Sequence, residues 1–507
     1  MLSLIHVLEW RASVTPDIVA LSDHAGGLLT YAGLAAATEQ RAAELAAARI
    51  GAGDVVAIIA RNQVGWVTTM TGLLRAGALP GAVNWRLALP EMTALLRAME
   101  PVAIVADDDS EAAAKQAAAR LDYPVPVLMT GADIAGTSGT SILPPWPAGR
   151  LRGSEPAVLV HTSGTTGAPK LVPQTHQQLI TAATFMKLEV PEAQPGARHL
   201  CPLPLYHPGT IAHVACVLLT GGHLHLLRSF EPASFVDELA ARRIQLTLLV
   251  PTLIQVLAGE VSSRALQPNL SSLAEIIYGA SPIRPDVLAQ AVSVLRCRFR
   301  QVYASTETGP LPISALSPAD HDPARGLLGT AGRPALGWEV RLGERDEIQV
   351  RGGAPLPRYW GDPGATNAAL TTDGFYRTGD VGTIDSRGYL TIIDRLRDVI
   401  ITGGENVFPG EVEAVLAGHA AVADVAIIGV PDDRWGETVH AVVVPRTGPY
   451  TGDQFTAELI GYARQRLAGF KCPTGVTLVP SLPRNAAGKL SRASLRAPFW
   501  VGRDRRV

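Results

Sequence analysis

Short apolar runs rich in Val and Ile alternate with Ala-rich stretches of helical period through the first half of the chain. VVAIIA (55–60) leads into VTTMTGLLRAGA and then PGAVNW, and VAIVAD later gives way to AAAKQAAARL. Unbroken Val/Ile runs suit strands buried on both faces, and the stretches between them suit crossover helices, so the pattern predicts an α/β body built on parallel strands. From about Gly326 the rhythm changes to short strands set off by turn residues, WEVRLG, EIQVRG, GFYRTGD and YLTIID, which predicts a smaller β-rich subdomain. A boundary is expected after Asp394. Beyond it come DVIIT, a GGEN turn, a helix opened by Pro409, two strands around PDDRWGE, the helix DQFTAELIGYARQRL and a last strand, TLVP. That is a compact α/β unit large enough to fold by itself.

Composition narrows the function classes. The chain has 507 residues and a formal charge of -2, with none of the basic excess that a nucleic-acid partner demands. Of 44 basic residues, five are lysine (Lys115, Lys170, Lys187, Lys471, Lys489), so a lysine kept in this Arg-rich background invites a chemical reason. The four cysteines, Cys201, Cys216, Cys297 and Cys472, form no CxxC and no close pair, which fits a reducing, cytoplasmic setting. No uncharged apolar run reaches membrane-spanning length, and the first residues lack the layout of a signal peptide, so no membrane span is expected.

The densest chemical signal is AVLVHTSGTTGAPKLVPQTH (157–176), a buried strand running into hydroxyls and glycines that end at Pro169-Lys170. Glycines let backbone N–H groups approach an anion, hydroxyls add donors, and the lysine supplies a compact positive charge, so a polyphosphate is the natural ligand. A Walker A loop would need GK[ST] opening a helix; here Lys170 follows Pro169 and the chain re-enters a strand, which argues against a P-loop NTPase.

HTSGTTGAPK resembles the signature of the adenylate-forming superfamily, which includes acyl-CoA synthetases, aryl-CoA ligases and nonribosomal adenylation domains. Further motifs resembling that family follow in order: LPLYH (203–207), YGAS (278–281), YASTE (303–307), YRTGD (376–380), DRLRDVIITGGENVFPGEVE (394–413) and RNAAGKL (484–490). The likeness spans nearly the whole chain and looks most like 4-chlorobenzoate-CoA ligase-like acyl-CoA ligases. It implies a large N-terminal domain over 1–394 containing the α/β and β-rich subdomains, a hinge at 395–397 centred on Arg397, and a small mobile C-terminal α/β domain over 398–507.

The resemblance also implies roles. A carboxylate becomes an acyl donor only after attack on the α-phosphate of ATP, a step that concentrates negative charge. Thr162, Ser163, Gly164, Thr165, Thr166, Gly167 and Lys170 would hold the phosphates, Thr306 would add a hydroxyl, and Glu307 would bind Mg²⁺. Gly279, Ala280 and Ser281 would admit the adenine, Tyr303 would stack on it, and Asp380 and Arg395 would reach the ribose. Lys489 would be the catalytic lysine at the α-phosphate, and His207 the gate between acyl site and thiol tunnel. For CoA, Gly403 and Gly404 would line the pantetheine path, Trp435 would stack on the adenine, and Arg86, Phe470 and Lys471 would lie near its phosphates. A buried-core role for Trp435 is the competing expectation.

The stretch Leu205 to Gly209 lacks the aspartate with which amino-acid-activating domains grip an α-ammonium, so an amino acid is not expected as substrate. Phe185, Pro208, Gly209, Thr210, Gly309 and Pro310, with Ala304 beside the forming bond, would face the acyl group. Their small or apolar character favours a hydrophobic or aromatic acid. Ala304 stands where the family has glycine, and its methyl leaves open a specialisation toward the second half-reaction. The expected activity is an ATP-dependent acid–CoA ligase using ATP, Mg²⁺ and CoA, with a homodimer left open. The alternatives are an acyl-AMP ligase loading a carrier protein and a non-catalytic homologue that only binds acyl-adenylate.

Overall fold

The structure, a computed structural model, describes residues 2–130, 153–162, 169–352, 358–446, 452–484 and 490–501. Contacts divide the chain into two compact units, one of Met1–Glu339 with Val350–Tyr376 and one of Val340–Gln349 with Arg377–Val507.

Among the described residues, the first unit contains two large sheets. In the six-stranded sheet, Val127–Met129, Ala103–Ala106, Val55–Ile59, Leu79–Ala82 and Pro156–Thr162 run parallel, and Lys170–Thr175 closes the edge antiparallel to Pro156–Thr162. The nine-stranded sheet has six parallel strands at its centre, in the order Arg298–Tyr303, Glu275–Gly279, Leu246–Leu249, Arg198–Cys201, His223–Leu226 and Val19–Asp23, flanked by antiparallel strands at both ends. The α/β expectation holds, with antiparallel margins that the Val/Ile runs do not advertise. One apolar core joins the two sheets: Ile58 and Val158 from one and Leu21 and Leu224 from the other pack with Trp66, Met70, Ile211 and Val214 of the helices Val64–Ala76 and Pro208–Thr220. Filling that space with large side chains excludes water and fixes the strand ends on which site residues are mounted.

In the second unit, Val422–Asp432 and Gly436–Pro445 form a long antiparallel hairpin, joined by Ile400–Thr402, Glu405–Val407 and Gly475–Leu478. The helices Pro409–Ala417 and Gly452–Arg464 cover one face through Val412, Leu416, Phe455 and Leu459, while Ala426, Ile428, Val430 and Val442 pack on the other. The four-stranded sheet of Trp338–Leu342, Glu347–Gly352, Tyr376–Ile384 and Leu390–Arg395 corresponds to the expected β-rich segment. Among the described residues, no helix is long and apolar enough to cross a membrane.

Candidate functional site

In parallel sheets, ligands collect beyond the carboxyl ends of the strands, where chain reversals expose loops and backbone polar groups. Three of the sequence motifs lie there in the nine-stranded sheet. Residues 203–209 follow Arg198–Cys201, residues 280–281 follow Glu275–Gly279, and residues 304–310 follow Arg298–Tyr303. Gly279 faces Val302 across two parallel strands, and a Cβ on it would stand 2.3 Å from the Val302 carbonyl oxygen. The close strand by itself therefore demands glycine. Ala280 follows with φ +73, a left-handed conformation that costs a non-glycine residue about 1–3 kcal/mol and is commonest at functional turns. Tyr303 is buried at the end of its strand, and Ala304 is exposed just past it.

The phosphate motif forms the mouth of a hairpin. Thr162 and Lys170 are Cα partners in the pairing of Pro156–Thr162 with Lys170–Thr175; Ser163, Gly164, Thr165, Thr166 and Gly167 lie outside the described residues. The helix His176–Glu189 starts directly after this strand, with Thr175 as N-cap and Gln178 completing a reciprocal capping box. From the same strand the buried Gln174 donates to the carbonyl of Thr306 at 2.8 Å, so the phosphate strand buttresses the Thr306-Glu307 turn. Within that turn Ser305 and Thr308 exchange hydrogen bonds, with the Ser305 N–H to Thr308 Oγ1 at 3.3 Å and the Thr308 N–H to Ser305 Oγ at 3.1 Å.

Lys170 and Glu307 meet on a residue that the sequence motifs do not single out. The Lys170 ammonium lies 4.5 Å from the centroid of the Tyr359 ring, and the Tyr359 hydroxyl donates to Glu307 Oε1 at 3.3 Å. Tyr359 also bonds Tyr376, whose hydroxyl reaches Ser305. Burial, and then the Glu307 carboxylate, raise both phenols, so they stay protonated donors. Among the described residues no cationic side chain pairs with Glu307. A half-buried carboxylate without a cationic partner is the hard oxygen ligand that Mg²⁺ prefers, so the residues fit that ion.

Of the residues expected to face the acyl group, Phe185, Gly309 and Pro310 adjoin this turn. Phe185 packs with Ala182, Leu311 and Ala335, and Gly309, at φ +85, comes so close to the Gln178 side chain that a Cβ would stand 3.0 Å from its Nε2. Pro310 lies between Gly309 and the buried Leu311, half-buried itself. Pro208 starts the helix Pro208–Thr220 with His207 as N-cap; the His207 ring lies 4.6 Å from that of Tyr206, and the Thr210 side chain is buried. At Gly209 an added Cβ would meet nothing nearer than Leu248 Cδ2 at 4.0 Å. Arg86 lies in the first unit, over Trp85 at 4.9 Å, and Arg61 stacks on the same indole at 4.2 Å.

The remaining candidates belong to the second unit. Asp380 and Arg395 are cross-strand partners, with Nε and Oδ1 3.4 Å apart. Trp435 is 48% exposed in the turn of the long hairpin, which rules out the buried-core alternative. Asp432 Oδ1 accepts the N–H groups of Arg434 and Trp435, and the Arg434 guanidinium lies 4.5 Å from the indole centroid. Gly403 donates its N–H to the Trp435 carbonyl at 2.9 Å; at φ +59, any Cβ on it would stand 2.8 Å from the indole. Gly404 is also left-handed, at φ +89, in open space. Phe470 is exposed, and Lys471 bonds both carboxylate oxygens of Glu411, at 2.7 and 2.8 Å. Arg397 sits in the 3-10 turn Leu396–Asp398, anchored by Asp398 to Arg496 at 3.0 Å and to Arg492 at 3.7 Å. Lys489 lies outside the described residues.

The profile of the AMP-binding enzyme family matches residues 8–358, and that of the AMP-binding enzyme C-terminal domain matches 411–489. The chain belongs to the AMP-binding enzyme family. This AMP-binding enzyme is 34% identical to feruloyl-CoA synthase of Amycolatopsis sp. over 502 residues, covering 96% of this chain and 97% of that one. It is 31% identical to the fatty acid–[acyl-carrier-protein] ligase ScoC of Streptomyces coeruleorubidus, covering 100% and 98%. Among solved structures it matches o-succinylbenzoate CoA synthetase (MenE) of Bacillus subtilis with a TM-score of 0.83 at 28% identity, covering 96% of this chain and 97% of that one. MenE has been solved with its acyl-adenylate intermediate OSB-AMP and with ATP and a magnesium ion. This AMP-binding enzyme is thus an adenylate-forming ligase.

Proposed function

We propose that this enzyme is an ATP-dependent acyl-CoA ligase for a hydrophobic or aromatic carboxylic acid. The observation that carries this reading is the meeting of Lys170 and Glu307 on Tyr359, beside the apolar wall of Phe185 and Leu311. An acid carboxylate oxygen attacks the α-phosphorus of ATP, and the bond to the leaving pyrophosphate breaks. The CoA sulfur, having given up its proton, then attacks the acyl carbonyl, and AMP departs with the bonding electrons. Thr162, the 163–167 segment and Lys170 bind phosphates, and Thr306 adds a donor. Gly279, Ala280, Ser281 and Tyr303 receive adenine, while Asp380 and Arg395 take the ribose. Glu307 holds Mg²⁺, which neutralises phosphate charge when bound. Lys489 serves adenylation, and rotation at Arg397 brings Gly403 and Gly404 into use for thioester formation.

Free CoA as acceptor is supported by the exposed Trp435, which offers an indole face to a purine with Arg434 close by. The likeness to ScoC over the full chain favours a carrier-protein thiol as the second reading. Both thiols can be compared directly: the enzyme is incubated with ATP, Mg²⁺ and a panel of aryl and fatty acids, with CoA or with phosphopantetheinylated carrier protein. Mass spectrometry then reads acyl-AMP and each thioester separately. Acyl-CoA from a hydrophobic or aromatic acid is the expected product; thioester on carrier protein alone would transfer the assignment to the second reading, and no adenylate with any acid would overturn both.

A further inference from the structure

Tyr359 stands where two opposite charges meet. Its backbone is fixed on both sides: its N–H donates to Thr366 Oγ1 at 2.9 Å, and the N–H of Trp360 donates to the Leu171 carbonyl at 2.8 Å. Leu171 directly follows Lys170, so the segment carrying the phenol is hydrogen-bonded to the strand carrying the ammonium. A cavity of ≈130 Å³ opens here, lined in part by Lys170, Tyr359, Trp360 and Asp362. Two parts of one side chain are engaged at once. The ring takes the cation at 4.5 Å, and the hydroxyl gives a hydrogen bond to Glu307 at 3.3 Å, 52 residues away in sequence. Tyr376, bonded to the same hydroxyl and to Ser305, ties that hydroxyl back to the turn bearing Glu307.

We propose that Tyr359 is a positioning residue that sets the spacing between Glu307 and Lys170, its hydroxyl orienting the carboxylate for the metal and its ring face holding the ammonium for the phosphates. The inference rests on the roles proposed above for those two residues. A carboxylate and an ammonium on separate elements would each wander over several rotamers. Joined through one rigid ring, they have one separation, and preorganised charge needs no reorganisation when the nucleotide arrives. Neither contact alone requires tyrosine, because phenylalanine would serve the ammonium and serine or threonine could serve the carboxylate. Their combination does require it.

The two halves separate by mutation. Calorimetry on the full chain would measure the Kd for ATP in EDTA and for Mg·ATP, and the ratio of the two reports how strongly the metal assists binding, whether or not turnover follows. Tyr359→Phe keeps the ring and deletes the donor. It should shrink that ratio roughly 3- to 10-fold while leaving ATP binding in EDTA within about twofold. Tyr359→Leu should shrink the ratio equally and in addition weaken ATP binding in EDTA by roughly 2- to 5-fold, as Lys170 loses its platform. Adding Tyr359→Phe to Glu307→Gln should change the ratio no further. If Tyr359→Phe leaves the ratio unchanged, or lowers both affinities alike, the positioning role is overturned. If Glu307→Gln itself leaves the ratio unchanged, the reading of Glu307 as the metal ligand has failed, and the inference falls with it; a shift in Glu307→Gln without one in Tyr359→Phe fails the inference alone.

Discussion

Candidate residues of the first unit and of the second differ in how far they are closed in. Lys170, Glu307, Thr306 and Gly279 sit on strand ends or on turns braced by neighbouring side chains, and each is fixed by a residue distant in sequence: Tyr359, Gln174 or Val302. Trp435, Gly404 and Phe470 lie on exposed turns of the second unit, where Trp435 has its backbone held by Asp432 and by the N–H of Gly403 but its indole half-open to solvent. A site that must offset concentrated phosphate charge gains from groups that cannot move. A surface proposed to accept the flat, solvated end of a large thiol loses nothing by staying open.

The sharpest way to break this comparison is at Glu307, the carboxylate proposed to hold the metal. Glu307→Gln should lower adenylate formation by about 10²-fold or more, while the fold survives, because a neutral amide is a poor ligand for Mg²⁺. A rate within twofold of the parent at limiting Mg²⁺ would remove the basis for setting the first unit apart.

Acid should distinguish the units next. Burial lowers the imidazoles of His199 and His213, a hydrogen-bonded pair 2.9 Å apart, and takes His176 down to about 4. His176 accepts the N–H of Leu4 on Nδ1, so the neutral ring is the one that fits. Its folded value lies below the ordinary 6.5, so its contribution is complete above that pH and is lost as pH falls from there toward 4. The loss is roughly 3 kcal/mol for His176 alone across that window. Hydrogen exchange read by mass spectrometry in urea at pH 7 and pH 5 should show the first unit losing protection well before the second, and His176→Gln should narrow the difference without removing it, since His199 and His213 remain. Equal losses in both units would contradict it.

Glycines provide a smaller contrast. Gly279→Ala drives a methyl against the Val302 carbonyl and should cost about 2 kcal/mol in a urea midpoint comparison. Gly404→Ala meets no atom within 4 Å and should cost only the left-handed backbone penalty, about 1 kcal/mol. Similar costs at both positions would mean that the strand contact is not what fixes Gly279. An effect of similar size is expected at Trp435→Ala, which should raise the KM for CoA by roughly 5- to 10-fold and leave adenylate formation unchanged, since loss of one base stack costs about 1 kcal/mol or somewhat more. An unchanged KM for CoA would leave that open surface without a nucleotide.

Much of this is legible in the sequence. VVAIIA and VAIVAD become neighbouring parallel strands because continuous β-branched runs have few other stable homes, and Pro169-Lys170 re-enters a strand as its residues require. The order of strands is not legible: Arg198–Cys201 lies between Leu246–Leu249 and His223–Leu226, and periodicity carries no record of who pairs with whom. Tyr359 is hidden for the same reason, since nothing in RYWGDPG records that its hydroxyl ends at Glu307. Trp435 can be read either way until its exposure is known, because an indole next to glycine and aspartate suits a core edge as well as a turn. Gly279 is legible as a small residue, but the cause of its smallness lies on a neighbouring strand.

The strand Lys170–Thr175 has one more consequence. Side chains four residues apart on a strand share a face, about 13 Å from one another. Lys170 uses that face to reach Tyr359, and Gln174 uses it to reach Thr306. The segment therefore works as a ruler: Leu171 and Val172, buried in the core, can be exchanged only for apolar residues of similar size, but removing or adding a single residue would turn one of the two contacts to the opposite side of the sheet. In a lineage of such chains, drift between these two positions should be confined to conservative apolar exchanges and to Pro173, and insertions or deletions should be absent.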